Sequence, residues 1–147
     1  VVVPTKVTDR ENKSLIDLKK EDFQLWENGV EQEIAGFEDA FAPFTIALML
    51  DASDSTRFKL ADIKAAAAEF LRELRQRDRV MIFTFDKNLR KIADGTAENL
   101  KSLQDSIVFT RAGGGTSLYD AVEAVIGEHL RPVSGKKALI VFTDGVD

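Results

Sequence analysis

The stretch Phe44-Thr45-Ile46-Ala47-Leu48-Met49-Leu50-Asp51-Ala52-Ser53-Asp54-Ser55 decides the fold. Its first seven residues are almost continuously apolar. A strand that is apolar on both faces is buried on both faces, as the central strands of parallel sheets are. Val80–Phe85 and Ala138–Phe142 have the same character. Between these runs lie amphipathic segments. Leu60, Ile63, Ala67, Phe70, Leu71 and Leu74 recur at helical spacing over 58–76, and Ala65–Ala68 adds helix propensity. Leu118, Val122, Val125, Ile126 and His129 predict a second helix over 117–130, with Ser117 and Asp120 as its capping box. Thr96 is expected to cap a third, with Leu100, Leu103 and Ile107 facing inward. Leu89–Ile92 follows the second apolar run too closely for a crossover helix, so it reads as an antiparallel edge strand. The alternation predicts an α/β fold: a doubly wound, mostly parallel sheet with helices on both faces and right-handed crossovers.

The first 40 residues read differently. Val1–Thr8 is valine-rich and β-branched, which predicts a strand. Phe23–Glu27 and Val30–Phe37 flank Asn28-Gly29, the dipeptide favoured in two-residue type I′ hairpins. Five basic and ten acidic side chains lie in residues 1–40, so the whole net charge of −5 resides there and the remainder is neutral. This charge step, with Pro43, predicts a boundary near 38–43. The expected organisation is a β-rich accessory unit with a hairpin over 1–40 and an α/β domain over 44–147.

Composition excludes several function classes. With 44% hydrophobic and 31% charged residues, the chain is globular rather than disordered. The longest apolar run, Phe41 to Leu50, is about half the length of a membrane helix, so no membrane span is expected. The acidic balance does not suit nucleic acid. Cysteine is absent and His129 is the sole histidine, which excludes disulfides, thiolate sites and multi-histidine zinc sites. Beginning at Val1 without an initiator methionine, the chain is silent on any upstream leader.

In doubly wound sheets, ligands bind beyond the carboxyl ends of the strands where the strand order reverses. Asp51 directly follows the first long strand, and Asp144 stands two residues past the last. Asp51-Ala52-Ser53-Asp54-Ser55 offers a carboxylate and two hydroxyls at alternate positions. Gly113-Gly114-Gly115-Thr116 precedes the 117–130 helix and delivers the Thr116 hydroxyl on a closely approaching backbone. Thr143-Asp144-Gly145 adds the second carboxylate. This donor set of Asp51, Ser53, Ser55, Thr116 and Asp144 is oxygen throughout and selects Mg²⁺, Mn²⁺ or Ca²⁺. The glycine triplet lacks the patterns of a phosphate loop, and no Gly-x-Ser-x-Gly hydrolase motif occurs. Asp86 follows a strand without a companion motif and His129 falls near a helix end; both read as structural. Arg72, Arg75, Arg77 and Arg79, with Glu69, Glu73 and Asp78, read as a solvated helix end.

Asp-x-Ser-x-Ser at 51–55, the distant Thr116 and the distant Asp144-Gly145 together resemble the metal-ion-dependent adhesion site of von Willebrand factor type A domains. The resemblance covers residues 44–147. Asp22-Phe23, Glu27-Asn28-Gly29 and Phe37, with segments 114–121 and 143–147, look like a bacterial subgroup often described from acidobacteria. The resemblance implies a bound Mg²⁺, an acidic side chain of a protein partner as ligand, an extracytoplasmic location and no enzymatic activity. It also implies further strands and helices after Asp144, so the outer edge of Ala138–Phe142 is expected to lack neighbours. Asp54 departs from the glycine of many members. Two other readings stand beside this one: a metal-dependent hydrolase or phosphoryl-transfer enzyme, for which only Asp54 and Asp86 remain as bases, and a degenerate scaffold that binds no metal.

Overall fold

In the computed structural model, which describes residues 2–39 and 42–145, Leu25–Glu27 (β1) and Val30–Gln32 (β2) pair antiparallel across Asn28-Gly29. Both turn residues have positive φ, 51° and 79°, as a type I′ turn demands. The paired strands are three residues each, shorter than expected. No strand forms over the described part of Val1–Thr8, whose first residue lies outside the described residues. Thr8 instead bridges to Ser14 around a turn in which one Asp9 carboxylate oxygen accepts the Glu11 and Lys13 amides, both at 2.9 Å. The physical reason is burial. No described residue of this segment is buried, and β-propensity alone, with no apolar face to cover, does not extend a ladder. Phe23 and Phe37 pack ring to ring at 5.2 Å. By its contacts the chain divides into two units, Val1–Ala42 and Pro43–Asp147.

The second unit is built on Phe44–Asp51 (β3), Arg79–Phe85 (β4), Leu89–Thr96 (β5) and Lys136–Phe142 (β6). The strand order is β5-β4-β3-β6. β4 and β6 flank β3 in parallel, and β5 runs antiparallel on β4 as a hairpin strand longer than Leu89–Ile92. The chain first crosses from β3 to β4 and later returns to the other side of β3, so the order reverses between β3 and β6. β6 pairs with β3 alone among the described residues.

Alternate residues of the central strands enter two cores. Ile46, Leu48, Leu50, Val80 and Ile82 meet Ile63, Ala67 and Leu71 of Leu60–Arg72 (α1) and Leu103 and Ile107 of Leu100–Val108 (α2). On the opposite face Ala47, Met49, Met81, Phe83 and Phe85 meet Ala121 of Leu118–Ala124 (α3), together with Val125 and Leu130. These helices on both faces explain why the strands carry no polar face.

Three details differ from expectation. The 117–130 helix is α-helical only to Ala124 and continues as a π-helix over Val125–Leu130. This wider turn buries Leu130 and leaves Ile126 41% exposed, whereas α periodicity places Ile126 inward. Ser117 precedes the helix, but its side chain makes no capping hydrogen bond. Asp78 is buried rather than solvated, because its carboxylate accepts the Phe44 amide at 2.9 Å and the Arg75 amide at 3.1 Å. Neighbouring Arg79 lies in β4 and forks onto both oxygens of Asp94, each at 2.8 Å. At the third helix, the Thr96 amide donates to Asn99 Oδ1 at 3.3 Å, ahead of α2. His129 packs its ring on Phe83, centroids 4.9 Å apart, a structural role. Among the described residues no helix is long and apolar enough to cross a membrane.

Candidate metal centre

The register of the parallel strands builds the site. Leu50 stands opposite Phe142 and Asp51 opposite Phe85, so the ends of β3, β4 and β6 lie level. The first residues past β6 therefore arrive beside Asp51. Thr143 donates its hydroxyl to Asp51 Oδ2 at 2.6 Å. The other oxygen, Oδ1, accepts the Ser53 amide at 2.9 Å, a short-range turn that Asp forms readily. Asp51 itself is 0% exposed, and no cationic side chain pairs with it among the described residues.

The loop after β3 is held by Thr56. Its buried hydroxyl lies 2.9 Å from the Ser53 carbonyl and 3.2 Å from the Asp51 carbonyl, donating to that pair. The loop then winds into a 3₁₀ turn over Ser55–Phe58. Neither serine caps α1, whose N-cap residue is Lys59. Instead Ser53 Oγ and Ser55 Oγ face each other at 2.9 Å, and Ser55 Oγ reaches Asp144 Oδ1 in a long contact of 3.5 Å. Gly145, at φ 79°, turns its amide back to Thr143 Oγ1 at 3.0 Å. Asp51, Ser53, Ser55 and Asp144 thus form one contiguous network, although Ser55 and Asp144 lie 89 residues apart.

Thr116 belongs to the same crevice by its loop rather than by its hydroxyl. The Gly113 amide donates to the Ala52 carbonyl at 2.9 Å, the Asp54 amide to the Gly114 carbonyl at 3.0 Å, and the Ser117 amide to the Asp86 carbonyl at 3.1 Å. These bonds bind the 113–117 loop to the ends of β3 and β4. Gly114 needs its positive φ of 92°, which L side chains rarely adopt. The half-buried Thr116 makes no hydrogen bond to the network among the described residues.

The two other acids near the strand ends are engaged. Asp54 is exposed, pairs with Arg57 at 2.6 Å and accepts the Gly114 amide at 3.2 Å. The Arg57 guanidinium and then the Gly114 amide hold its carboxyl below the ordinary value. Burial pushes the Asp86 carboxyl up, but the Arg90 guanidinium at 2.9 Å and the Asn88 amide at 2.7 Å together hold it below the ordinary value. Thr143 and Thr56 are site residues that sequence reasoning passed over. Thr143 had a signal in its place directly before Asp144. Thr56 had one in its place directly after Ser55.

Among the described residues no group of three or more His, Cys, Asp or Glu could hold a metal, so any cation here would rely on hydroxyls as well as carboxylates. A family model described as the von Willebrand factor type A domain matches residues 46–146. No curated protein matches the sequence. Among solved structures, the chain is similar to the vWF domain of the type V pili tip protein Mfa5 from Porphyromonas gingivalis, at 17% identity and TM-score 0.62, over 71% of this chain and 38% of that one. It is similar to a von Willebrand factor type A protein from Catenulispora acidiphila at 16% identity and TM-score 0.56, over 65% and 25%. It is also similar to proximal thread matrix protein 1 of the mussel byssus, with a zinc-occupied MIDAS motif, at 19% identity and TM-score 0.57, over 70% and 29%. At these identities the likeness establishes the fold, and the chain spans well under half the length of each.

Proposed function

From the premise that this chain belongs to the von Willebrand factor type A domain family, we propose that it is a divalent-cation-dependent protein-binding module. Its site is the metal-ion-dependent adhesion site formed by Asp51, Ser53, Ser55, Thr116 and Asp144. One observation carries this reading: Asp51 is a fully buried carboxylate with two neutral donors and no cationic partner among the described residues. Buried charges are normally paired or bound to metal, because an isolated one is costly to desolvate. The surrounding donors are all oxygen, which fits a hard cation, Mg²⁺ above all and Mn²⁺ or Ca²⁺ in its place. The zinc reported in the byssus protein makes Zn²⁺ a useful comparison.

When bound, the cation would supply an electrophilic position open to an outside carboxylate. The residues do the rest. Asp51 and Asp144 balance charge, while neutral hydroxyls leave the site able to accept an acidic side chain from a partner protein. Thr143 orients Asp51, and Thr56 holds the loop that carries both serines. Binding is favoured over hydrolysis or phosphoryl transfer because Asp54 and Asp86, the acids a base would come from, are held by Arg57 and Arg90. We place the protein outside the cytoplasm, secreted or in the cell envelope of a bacterium, in keeping with the pilus-tip neighbour.

Saturating Mg²⁺ is expected to raise the melting temperature, and Asp51→Ala to abolish the rise. An unchanged melting curve in folded wild-type protein, with Mg²⁺, Mn²⁺, Ca²⁺ and Zn²⁺ alike, would contradict the metal site.

A further inference from the structure

Beside the metal centre, a cleft of about 430 Å³ lies between β5 and the carboxyl end of α2. Arg90, Ser106, Phe109, Thr110 and Arg111 line it, as does Ala52, the residue after Asp51. Its chemistry differs from that of the metal centre. Arg90 touches Asp86 Oδ2 through one guanidinium nitrogen, and Arg111 has no carboxylate partner among the described residues. Asp86 neutralises one of the two cations, so the pair of arginines keeps a net positive charge. Thr110 adds a second, independent signal. Its Oγ1 is the one buried side-chain polar atom without a hydrogen-bond partner among the described residues. Buried hydroxyls are nearly always bonded, so an orphan calls for a ligand or water to complete it. Ser106 is not a further orphan, because its hydroxyl bonds the Leu103 carbonyl at 2.6 Å.

We infer that this cleft is an oxyanion-binding subsite that works without metal. It takes a carboxylate or phosphate group between the Arg90 and Arg111 guanidiniums, and rotation of the buried Thr110 hydroxyl into the cleft adds a third donor. Guanidinium presents a planar fork that matches either oxyanion. Phe109, 80% exposed, gives the cleft an apolar wall for whatever carries the anion. Because Ala52 joins the cleft to Asp51, one partner can fill both sites with two acidic groups.

The test is a titration of the ¹⁵N-labelled chain with sodium acetate and, separately, sodium phosphate. Excess EDTA is present throughout, and sodium chloride at matched ionic strength is the reference. Saturable shifts are expected at the Thr110 and Arg111 amides and at Arg90 Nε, with the Ser53 and Ser55 amides unmoved. The acetate and phosphate arms tell a carboxylate ligand from a phosphate one. Arg111→Gln is expected to weaken binding about tenfold, the worth of one charged hydrogen bond. Thr110→Val is expected to weaken it severalfold while the anion-free melting temperature holds or rises, since the hydroxyl lost had no partner. Shifts in neither arm beyond those of chloride would overturn the subsite. So would binding indifferent to Arg111→Gln, or shifts that centre on the Ser53 and Ser55 amides rather than on Thr110 and Arg111. Working in EDTA keeps this result separate from the fate of the metal site.

Discussion

The segments 2–39 and 43–145 both contain β-branched and aromatic runs, yet the two behave differently. Trp26 and Val30, on the two hairpin strands, are 56% and 60% exposed, whereas Met49 and Phe83, on adjacent strands of the second unit, are 0% exposed. Among the described residues, all the buried hydrophobic ones fall within the second unit. The hairpin has a well-formed turn, but among the described residues each of its strands has one neighbour and none of its strand residues is buried. β3 has a parallel strand on each side and helices on both faces. A turn sets which residues pair; only a covering layer sets how far the pairing runs. The same contrast bears on the proposed site, because the Asp51 network is anchored to buried strand ends.

The largest expected effect tests the core. Leu48→Ala is expected to cost about 2–5 kcal/mol in urea denaturation, as a fully buried leucine does. Trp26→Ala is expected to stay within about 0.5 kcal/mol, as exposed positions do. Comparable losses at the two positions would show that the hairpin shares the core's stability.

Next comes the division of labour. At a hundred times its dissociation constant a cation stabilises the fold that binds it by about 2.7 kcal/mol. Deleting residues 1–40 is expected to keep that increment, with metal affinity within a few fold by calorimetry. Loss of metal binding in a deletion variant that still folds would make the first unit part of the site.

Thr143→Val removes the hydroxyl that satisfies buried Asp51 Oδ2. A loss of about 1–3 kcal/mol is expected in metal-free protein by chemical denaturation. A neutral result would mean that Asp51 finds another donor.

The smallest effect concerns Asp94, whose carboxyl is lowered by the forked Arg79 hydrogen bonds. Its folded value lies below the ordinary 3.8. The contribution is therefore fully present above that value and is lost as pH falls through the lower folded-state value. Asp94→Asn is expected to remove less than about 1 kcal/mol at neutral pH and to flatten the acid limb of the stability curve. An unchanged acid limb would place the loss elsewhere.

Local pattern was enough for the parts that depend on local pattern. Three unbroken apolar runs meant strands buried on both faces, and the spacing of Leu60 to Leu74 meant a helix with one inward stripe. Asp51 could be placed at a strand end because apolar character stops there, and Asn28-Gly29 specified its turn through the φ values the two residues tolerate. Local pattern also misled where burial was missing, at Val1–Thr8, and where a helix changed its pitch, at Val125–Leu130. A periodicity of 3.6 cannot foresee a wider turn that exchanges Ile126 for Leu130. The rest was decided by tertiary structure. Thr143 meets Asp51 across 92 residues because β3 and β6 pair in one register, and a slip of one residue would turn that hydroxyl to the other face of the sheet. Asp54, ambiguous as a residue type, is assigned to Arg57 and Gly114 by the loop that passes over it. Residue types state which donors exist, while strand register and loop docking state which donors meet.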